Sequence, residues 1–331
     1  VRENHASPSV VVSGYLTIGS YDETDSQAGL AAFTASAMTR GTVNWTFDQV
    51  YEEAESVGAS IGVGAGEHRT SFRTKSLTED LPLMMDILAD VLRTPTFPPE
   101  EVEKLRGQIL TGLDMRADDT SRMAALTFRE QAYPKGHPYG RAVSGYKETI
   151  SNLTRDDLAS FYQGGFGPRG MLFVIVGGVK TKQAIAQVEE AFGDWDGPSY
   201  SRDPLPAVTA PSKPLLKHVL LAGKTQTDIV LGYPGPARND PAFLDALLCN
   251  TVLGIFGLMG RLGEKIREEQ GLAYYSYSQI DGGSGPGPWR VIAGVNPADT
   301  EQAVESIRAE IKRIREEPIA AEEFSDSQAF L

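Results

Sequence analysis

The most informative stretch of this 331-residue chain is GLAAFTASAMTRGT, residues 29–42. Its residues are small and compatible with a helix as far as Met38, so we predict a helix over 28–38. The run VVVSGYLTI, residues 10–18, precedes it and is β-branched and aromatic, which predicts a strand. The chain therefore begins with a strand, a polar turn and a helix.

A hairpin and an amphipathic helix come next. Residues 59–65 and 70–77 alternate in polarity as hairpin strands do. Residues from Leu81 to Leu92 have the i, i+3, i+4, i+7 spacing of a helix with one apolar face, and the sequence FPPEE at 97–101 follows. The hairpin, the amphipathic helix and the FPPEE sequence together form the first copy of an internal repeat.

The same order returns later in the chain. The second copy consists of strands over 272–278 and 290–295, a helix from Asp299 to about Arg315, and the sequence IAAEE at 319–323. The offset between the copies, about 220 residues, exceeds the periods of solenoid repeats. We therefore predict two homologous α+β domains in tandem, each a sheet with helices packed on one face. We expect the second domain to be truncated at its C-terminus.

A proline-rich stretch separates the two copies. Residues 196–214 contain five prolines together with Ser and Asp, a composition typical of a linker. We predict a first domain at 1–197, a Pro-rich linker at 198–214 and a second domain at 215–331. The continuous apolar run at 170–177 predicts a strand that is buried on both faces.

Composition excludes several classes of protein. The chain has 31 Lys and Arg residues against 44 Asp and Glu, a net charge of −13, which argues against binding to nucleic acid. No apolar run approaches about 18 residues, so we expect no membrane span. Cys249 is the only cysteine, which excludes an intramolecular disulfide framework. Both ends of the sequence look truncated, so targeting signals could be missing. We expect a soluble chain and leave its compartment, cytoplasm or periplasm, open.

The sequence contains none of the common phosphate-binding, nucleophile or metal-binding motifs. No phosphate-binding glycine loop and no G-x-S-x-G elbow occur. The four histidines have no metal-ligand spacing, and we interpret them as structural or surface residues. They are His5, His68, His137 and His218. By motif alone, this is a two-domain α+β protein without an evident active site.

Two segments nevertheless resemble peptidase family M16, the pitrilysin-like zinc metallopeptidases that include the mitochondrial processing peptidases and insulin-degrading enzyme. Residues 29–42 are similar to the family segment G-L-A-H-F-L-E-H-M-x-F-K-G-T, and residues 260–274 to S-R-L…L-R-E-x-x-G-L-A-Y. The resemblance covers essentially the whole chain. It implies a LuxS/MPP-like metallohydrolase fold, with a mostly antiparallel sheet in each of two tandem domains.

The first segment departs from the family at every zinc position. The family motif H-x-x-E-H supplies two zinc ligands and a general base from one helix. In register with it, this chain has Ala32 and Ser36 at the histidines and Ala35 at the glutamate. The third ligand, a glutamate about 75 residues onward in the family, falls near Gly112. These residues cannot hold a catalytic zinc, so the resemblance implies a subunit that has lost its metal.

The second segment keeps the polar pair that the family uses. In the family, an arginine and a tyrosine of the second domain contact the peptide substrate, and here Arg267 and Tyr274 stand at the same spacing. A guanidinium suits the carbonyls of an extended peptide, and a phenol can donate to a developing oxyanion. The alternative is that Arg267 is a solvated helix residue and Tyr274 a core aromatic of the hairpin.

The resemblance thus implies a noncatalytic subunit of a heterodimeric M16 endopeptidase, inactive alone. A partner subunit with H-x-x-E-H would hold the zinc, this chain would hold no cofactor, and unfolded peptides would be the substrates. The alternative is a scaffold or interaction protein with the same fold and no proteolytic role, and a homodimer is compatible with either. An independent hydrolase with a rebuilt site has no support in the sequence.

Overall fold

The structure, a computed structural model, describes residues 1–198, 202–209 and 213–331. The predicted linker at 198–214 therefore lies partly outside the described residues, and the predicted boundaries remain predictions. The chain forms two compact units. Unit 1 comprises Val1–Leu113 and Arg141–Pro204, and unit 2 comprises Asp114–Gly140 and Leu205–Leu331.

The regular elements follow the predicted order. The strands are β1 (Arg2–Glu3), β2 (Ser9–Leu16), β3 (Ser60–Ala65), β4 (Thr70–Leu77), β5 (Leu172–Gly177), β6 (Thr227–Pro234), β7 (Ala273–Ile280) and β8 (Pro288–Val295). The helices are α1 (Leu30–Met38), α2 (Phe47–Ser56), α3 (Leu81–Arg93), α4 (Pro99–Ala117), α5 (Thr120–Ala132), α6 (Lys147–Asn152), α7 (Arg155–Gly165), α8 (Thr181–Phe192), α9 (Phe243–Gly254), α10 (Phe256–Leu262), α11 (Thr300–Glu316) and α12 (Ala321–Phe330). A π-helix over Gly263–Glu269 follows α10 directly.

Unit 1 is built on a five-stranded sheet with the order β1-β5-β2-β4-β3. Its neighbouring strands are antiparallel, except that β1 runs parallel to β5. Along β4 the side chains alternate strictly, so that Phe72 and Thr74 are buried while Arg73 and Lys75 are exposed. One face of the sheet therefore packs on the helices and the other is open, as predicted. Helix α3 adds its predicted apolar face, including Met84 and Leu88, to the core.

Unit 2 repeats the central part of this topology. Its three-stranded antiparallel sheet has the order β6-β8-β7, which corresponds to β2-β4-β3 of unit 1. Val291 and Ala293 of β8 form its core with Leu262, Ile266 and Ile307. Each three-strand unit is followed by a long amphipathic helix, α3 or α11. The expected α+β class with antiparallel-rich sheets is confirmed.

Helix α5 packs in unit 2 although it comes from the first half of the sequence. It lies against β6, and the unit division falls within α4, the helix before it. Sequence order did not predict this placement.

The prediction that β5 is buried on both faces is wrong. Leu172 is 44% and Val174 41% exposed. Val174 pairs with Ser13 and Ser13 with Arg73, so these side chains lie on the open face together with the exposed residues of β4. An apolar run indicates a strand here, but it does not indicate how many of its faces are covered.

The sequence also predicts a helix over 262–270, after a glycine-rich turn, and the structure has this helix in an altered form. Its residues continue from α10 into the π-helix, and α10 itself is distorted. Met259 has φ of +79°, in the left-handed region that disfavours a side chain.

Within the described ranges, no single helix has the length and apolar character to cross a membrane. The segments Phe243–Gly254 and Phe256–Glu269 pass a test of length and composition only when joined across a 90° bend.

Candidate functional site

Helix α1 carries three of the four positions at which the family's zinc motif is degenerate in this chain. Most of its residues are buried, and Ala35 is completely buried. Ala32 and Ser36 are half-buried and four residues apart, so they share one face of the helix. This face has the i, i+4 geometry that a pair of metal-binding histidines would need, with an alanine and a serine in their place.

Glu23 fixes the start of α1. One of its carboxylate oxygens accepts the backbone N–H of Gly29 and the other that of Ala31, both at 2.9 Å. The guanidinium of Arg141 donates to the backbone carbonyl oxygens of Ser20 and Glu23 and so holds this loop. Burial raises the pKa of Glu23 to about 7, against the lowering effect of the two N–H groups. The turn before α1 is thus held by a buried acid.

Helix α4 carries Gly112, the fourth of these degenerate positions. Gly112 is exposed, and a Cβ atom added to it would meet nothing within 4 Å. The helix contacts α1 through Arg106, whose guanidinium lies 5.3 Å from the ring centroid of Phe33. It also contacts the turn after α1, where the guanidinium of Arg40 donates to Gln108 at 2.6 Å. The structure therefore brings the helices of the four positions together, but not side chains that could bind a metal.

The donor atoms at these positions do not fit a zinc site. Alanine and glycine side chains have no lone pairs to offer, and the Ser36 hydroxyl is a weak ligand beside imidazole or carboxylate. Across the described parts of the chain, no three His, Cys, Asp or Glu side chains are grouped so that they could hold a metal ion.

Arg267 lies in the last turn of the π-helix and is exposed. Its Nε is 3.6 Å from a carboxylate oxygen of Glu268, a contact at the surface. Gly271, with φ of +63°, then turns the chain into β7, and its N–H donates to the carbonyl oxygen of Arg267 at 3.1 Å. π-Helical turns are frequent at functional sites, and a left-handed glycine allows this abrupt end.

Tyr274 stands at an irregularity of β7. Ala273 pairs with Val295 and Tyr275 with Gly294, so Tyr274 is an additional residue between two paired ones. Its side chain is 65% exposed. A β-bulge of this kind redirects a side chain and is common near active sites. The alternative that Tyr274 is a core aromatic does not match this exposure.

The structure thus puts Arg267 and Tyr274 on consecutive elements on either side of the Gly271 turn. Among the described residues, no hydrogen bond or ion pair joins the two side chains to each other. Both remain available to a ligand.

An ion pair holds the start of the π-helix. The guanidinium of Arg261 donates to both carboxylate oxygens of Glu323, each at 2.6 Å. The hydrogen bond to Glu323 raises the pKa of Arg261, and the same contact lowers the pKa of Glu323. Bidentate pairs of this type fix orientation as well as charge. This pair therefore helps to position the segment that carries Arg267.

The histidines have structural surroundings. His137 is buried, its Nδ1 accepts the N–H of Tyr139, and its ring stacks on Tyr133 at 5.0 Å. It organises the turn over residues 134–140, which agrees with its interpretation as a structural residue. His5 and His218 are exposed, and His68 stacks on Tyr21.

A cavity in unit 2 was missed by the sequence reasoning. It is lined by residues of four separate segments, which include Asp118, Asp228, Met259 and Tyr275. No spacing within one segment signals it, because the residues meet only through the packing of α5 on β6 and the pairing in the sheet.

Two family models match this chain. The model described as insulinase (peptidase family M16) matches residues 1–145, and the model described as the peptidase M16 inactive domain matches residues 152–331. Together they account for nearly all of the sequence.

Curated relatives and solved structures agree with these matches. An uncharacterized zinc protease of Streptomyces coelicolor is 28% identical over 313 residues, which cover 92% of this chain and 67% of that protein. One of Mycobacterium leprae is 29% identical, with 92% and 68% covered. The crystal structure of a peptidase M16 inactive domain from Pseudomonas fluorescens shares the fold, with a TM-score of 0.87 and 22% identity over 99% of this chain and 79% of that one. The structure of a protease from Helicobacter pylori also has a TM-score of 0.87, with 18% identity over 98% and 79%.

Proposed function

The chain belongs to peptidase family M16, and we propose that it is the noncatalytic subunit of a two-chain zinc endopeptidase. In this proposal a second M16 subunit carries H-x-x-E-H and the zinc ion. This chain contributes Arg267 and Tyr274, which bind the peptide at the partner's site. The substrates are unfolded peptides.

The contrast between α1 and the start of β7 carries the proposal. On α1, the positions that would hold zinc have no suitable donor atoms. On either side of the Gly271 turn, two polar side chains are exposed, and Tyr274 is 65% exposed at a bulge. A tyrosine that only filled the core would be buried, since burial of its ring is what stabilises the fold. The chain has lost the zinc motif but keeps the arginine and tyrosine of the second domain. This combination favours a function together with a partner subunit that still carries the zinc motif.

The chemistry of the two side chains suits an extended peptide. The guanidinium of Arg267 has several N–H donors in one plane, so it can donate to peptide carbonyl oxygens. The phenol of Tyr274 can donate one further hydrogen bond to a carbonyl oxygen on which negative charge develops.

The test begins with the chain alone. We expect the purified chain to contain no stoichiometric zinc after mild chelation and to cleave no peptide, since Ala32, Ala35, Ser36 and Gly112 provide no ligand set. Metal analysis and a peptide hydrolysis assay measure both. One zinc per chain, retained after chelation, would contradict the proposal.

The second step adds a zinc-bearing M16 subunit, for which an M16 chain with H-x-x-E-H encoded next to this one is the first choice. We expect the two to copurify and hydrolyse peptides that neither cleaves alone. Copurification without any gain in hydrolysis would favour the scaffold function. The position of Arg267 in the last helical turn is the observation on the side of that alternative, because a cation there stabilises a helix whatever its function.

A further inference from the structure

An ion pair between an arginine and a glutamate recurs at equivalent places in the two units. Arg261 of unit 2 lies between α9 and the π-helix, and Arg40 of unit 1 lies between α1 and α2. Their partners, Glu323 and Glu101, are each the third residue of the helix that follows the long amphipathic helix. Arginine and glutamate are both offset by about 220 residues between the units, as the internal repeat is. The pair is therefore an element of the repeat.

The two pairs differ in geometry. In unit 2, the guanidinium of Arg261 donates to both carboxylate oxygens of Glu323, each at 2.6 Å. In unit 1, Nη1 of Arg40 is 3.7 Å from a carboxylate oxygen of Glu101, and its Nη2 donates to Gln108 instead. Two parallel hydrogen bonds fix the orientation of an arginine, whereas one ionic contact at 3.7 Å does not. The pair is thus tight in the unit that keeps the exposed arginine and tyrosine.

The π-helix that carries Arg267 depends on this pair for its orientation. The residues just before it, 257–260, have non-helical backbone angles, and three of them have positive φ. No regular helical turn therefore precedes the π-helix to align it. Leu262 and Ile266 bury one of its sides in the core, but burial of apolar side chains has no preferred direction. The directional contact is that of Arg261, which ties the start of this helix to α12.

The helix dipole alone does not account for the pair. Glu323 lies in the first turn of α12, where a carboxylate stabilises a helix. Glu322 lies in the same turn and meets that requirement without an ion pair to any described residue. Arg261 is only 8% exposed, and its Nη1 has no hydrogen-bond partner among the residues that the structure describes. Burying a guanidinium in this way is costly, so the pair contributes orientation more than stability.

We propose that Glu323 and Arg261 are positioning residues for peptide turnover. Their two hydrogen bonds hold the start of the π-helix and, through it, the exposed guanidinium of Arg267. The looser pair in unit 1 has no such task, because the helix before it carries no zinc ligands. This inference rests on the proposed function, in which Arg267 binds the peptide.

The first test uses the full chain alone and does not involve turnover. We expect Glu323→Gln to speed amide hydrogen exchange of residues 261–271 about tenfold, because this segment then opens more easily. Glu322→Gln removes a carboxylate from the same turn of α12, and Glu101→Gln removes the equivalent one from unit 1. Both are matched controls and should leave this exchange unchanged.

The second test is a double-mutant cycle in the complex with a zinc-bearing M16 subunit. We expect Glu323→Gln to lower kcat/KM about fivefold, since a small displacement of a binding group slows turnover. In the Arg267→Ala background the same change should cost less than about twofold, because a residue that acts through Arg267 has no effect without it. A general loss of stability would instead reduce turnover equally in both backgrounds. The two control variants should keep wild-type turnover.

Arg261→Lys supplies a second variant in case Glu323→Gln does not fold. It keeps the positive charge but cannot form two parallel hydrogen bonds, so both effects should recur at smaller size. Unchanged exchange over residues 261–271, or equal losses of turnover with and without Arg267→Ala, would overturn the inference. Wild-type turnover by Arg267→Ala would refute the proposed function together with it. Reduced turnover by Arg267→Ala with wild-type turnover by Glu323→Gln would refute this inference alone.

Discussion

The protonation of the buried Glu23 side chain is coupled to the fold. Its carboxylate is 5% exposed and bonds the first N–H groups of the helix that carries Ala32 and Ser36. Burial raises its pKa from 4.5 to about 7. The native state therefore binds a proton more tightly than the unfolded chain does, and this site contributes stability that is present below pH 4.5 and lost as the pH rises through 7.

We predict that the contribution of Glu23 to the free energy of unfolding falls by about 2 kcal/mol between about pH 5 and pH 7.5. Urea denaturation of the wild type and of Glu23→Gln across this range measures it, because the glutamine variant lacks the titration. The control is Asp25→Asn, which removes the exposed acid 2.9 Å from Arg141 and should keep the wild-type slope. Parallel curves for the wild type and Glu23→Gln would show that Glu23 does not titrate in this range.

At the scale of the element, two glycines isolate the effect of backbone conformation. A Cβ added to Gly112 in α4 or to Gly271 after the π-helix would meet nothing within 4 Å. The two differ in that Gly271 has φ of +63°, while Gly112 is an ordinary helical residue. The two positions therefore offer the same free space for a side chain but differ in backbone conformation.

We predict that Gly112→Ala raises the free energy of unfolding by about 1 kcal/mol, because alanine has the higher helix propensity. Gly271→Ala should lower it by about 1–2 kcal/mol, the cost of a side chain in the left-handed region. Denaturant titrations of the two variants, compared with the wild type, measure both. A destabilising Gly112→Ala would mean that α4 is not a regular helix at this position.

Most helices and strands could be predicted from the sequence, but their burial and packing partners could not. The spacing of Leu81, Met84 and Leu88 predicted α3, and the alternation at 70–77 predicted β4, because both patterns are local. The exposure of Leu172 could not be predicted, since it depends on which face of the sheet the helices cover. The placement of α5 in unit 2 was equally hidden, because an amphipathic pattern does not say which sheet its apolar face meets.

The candidate site shows the same limit. Arg267 and Tyr274 were identified from the resemblance to the family segment, because their residue types and spacing alone also fit a purely structural role. The predicted helix ends and the predicted strand begins on either side of Gly271, as expected. The bulge that exposes Tyr274 follows from the pairing of β7 with β8, which no single strand specifies. The cavity around Asp228 depends on four distant segments, and no pattern in the sequence predicts it.

At the scale of the whole molecule, the repeated strand order and the family matches describe a member of peptidase family M16. The fold class predicted from the internal repeat and the family resemblance is confirmed by the structure and by its relatives. The proposed division of labour, with zinc on a partner and the polar pair on this chain, concerns the complex. It is therefore decided by an experiment on the complex.

The central measurement is peptide turnover by this chain reconstituted with a zinc-bearing M16 subunit. We predict that Tyr274→Phe and Arg267→Ala each lower kcat/KM at least about tenfold, equivalent to about 1.4 kcal/mol of transition-state stabilisation. Loss of an exposed helix charge alone would cost well under about 1 kcal/mol of stability and leave catalysis unchanged. Lys265→Ala, which removes an exposed cation from the same π-helix, is the matched control and should keep full activity. Wild-type kcat/KM from both Tyr274→Phe and Arg267→Ala, with intact complex on gel filtration and unchanged Tm, would contradict the account and leave the chain as a scaffold.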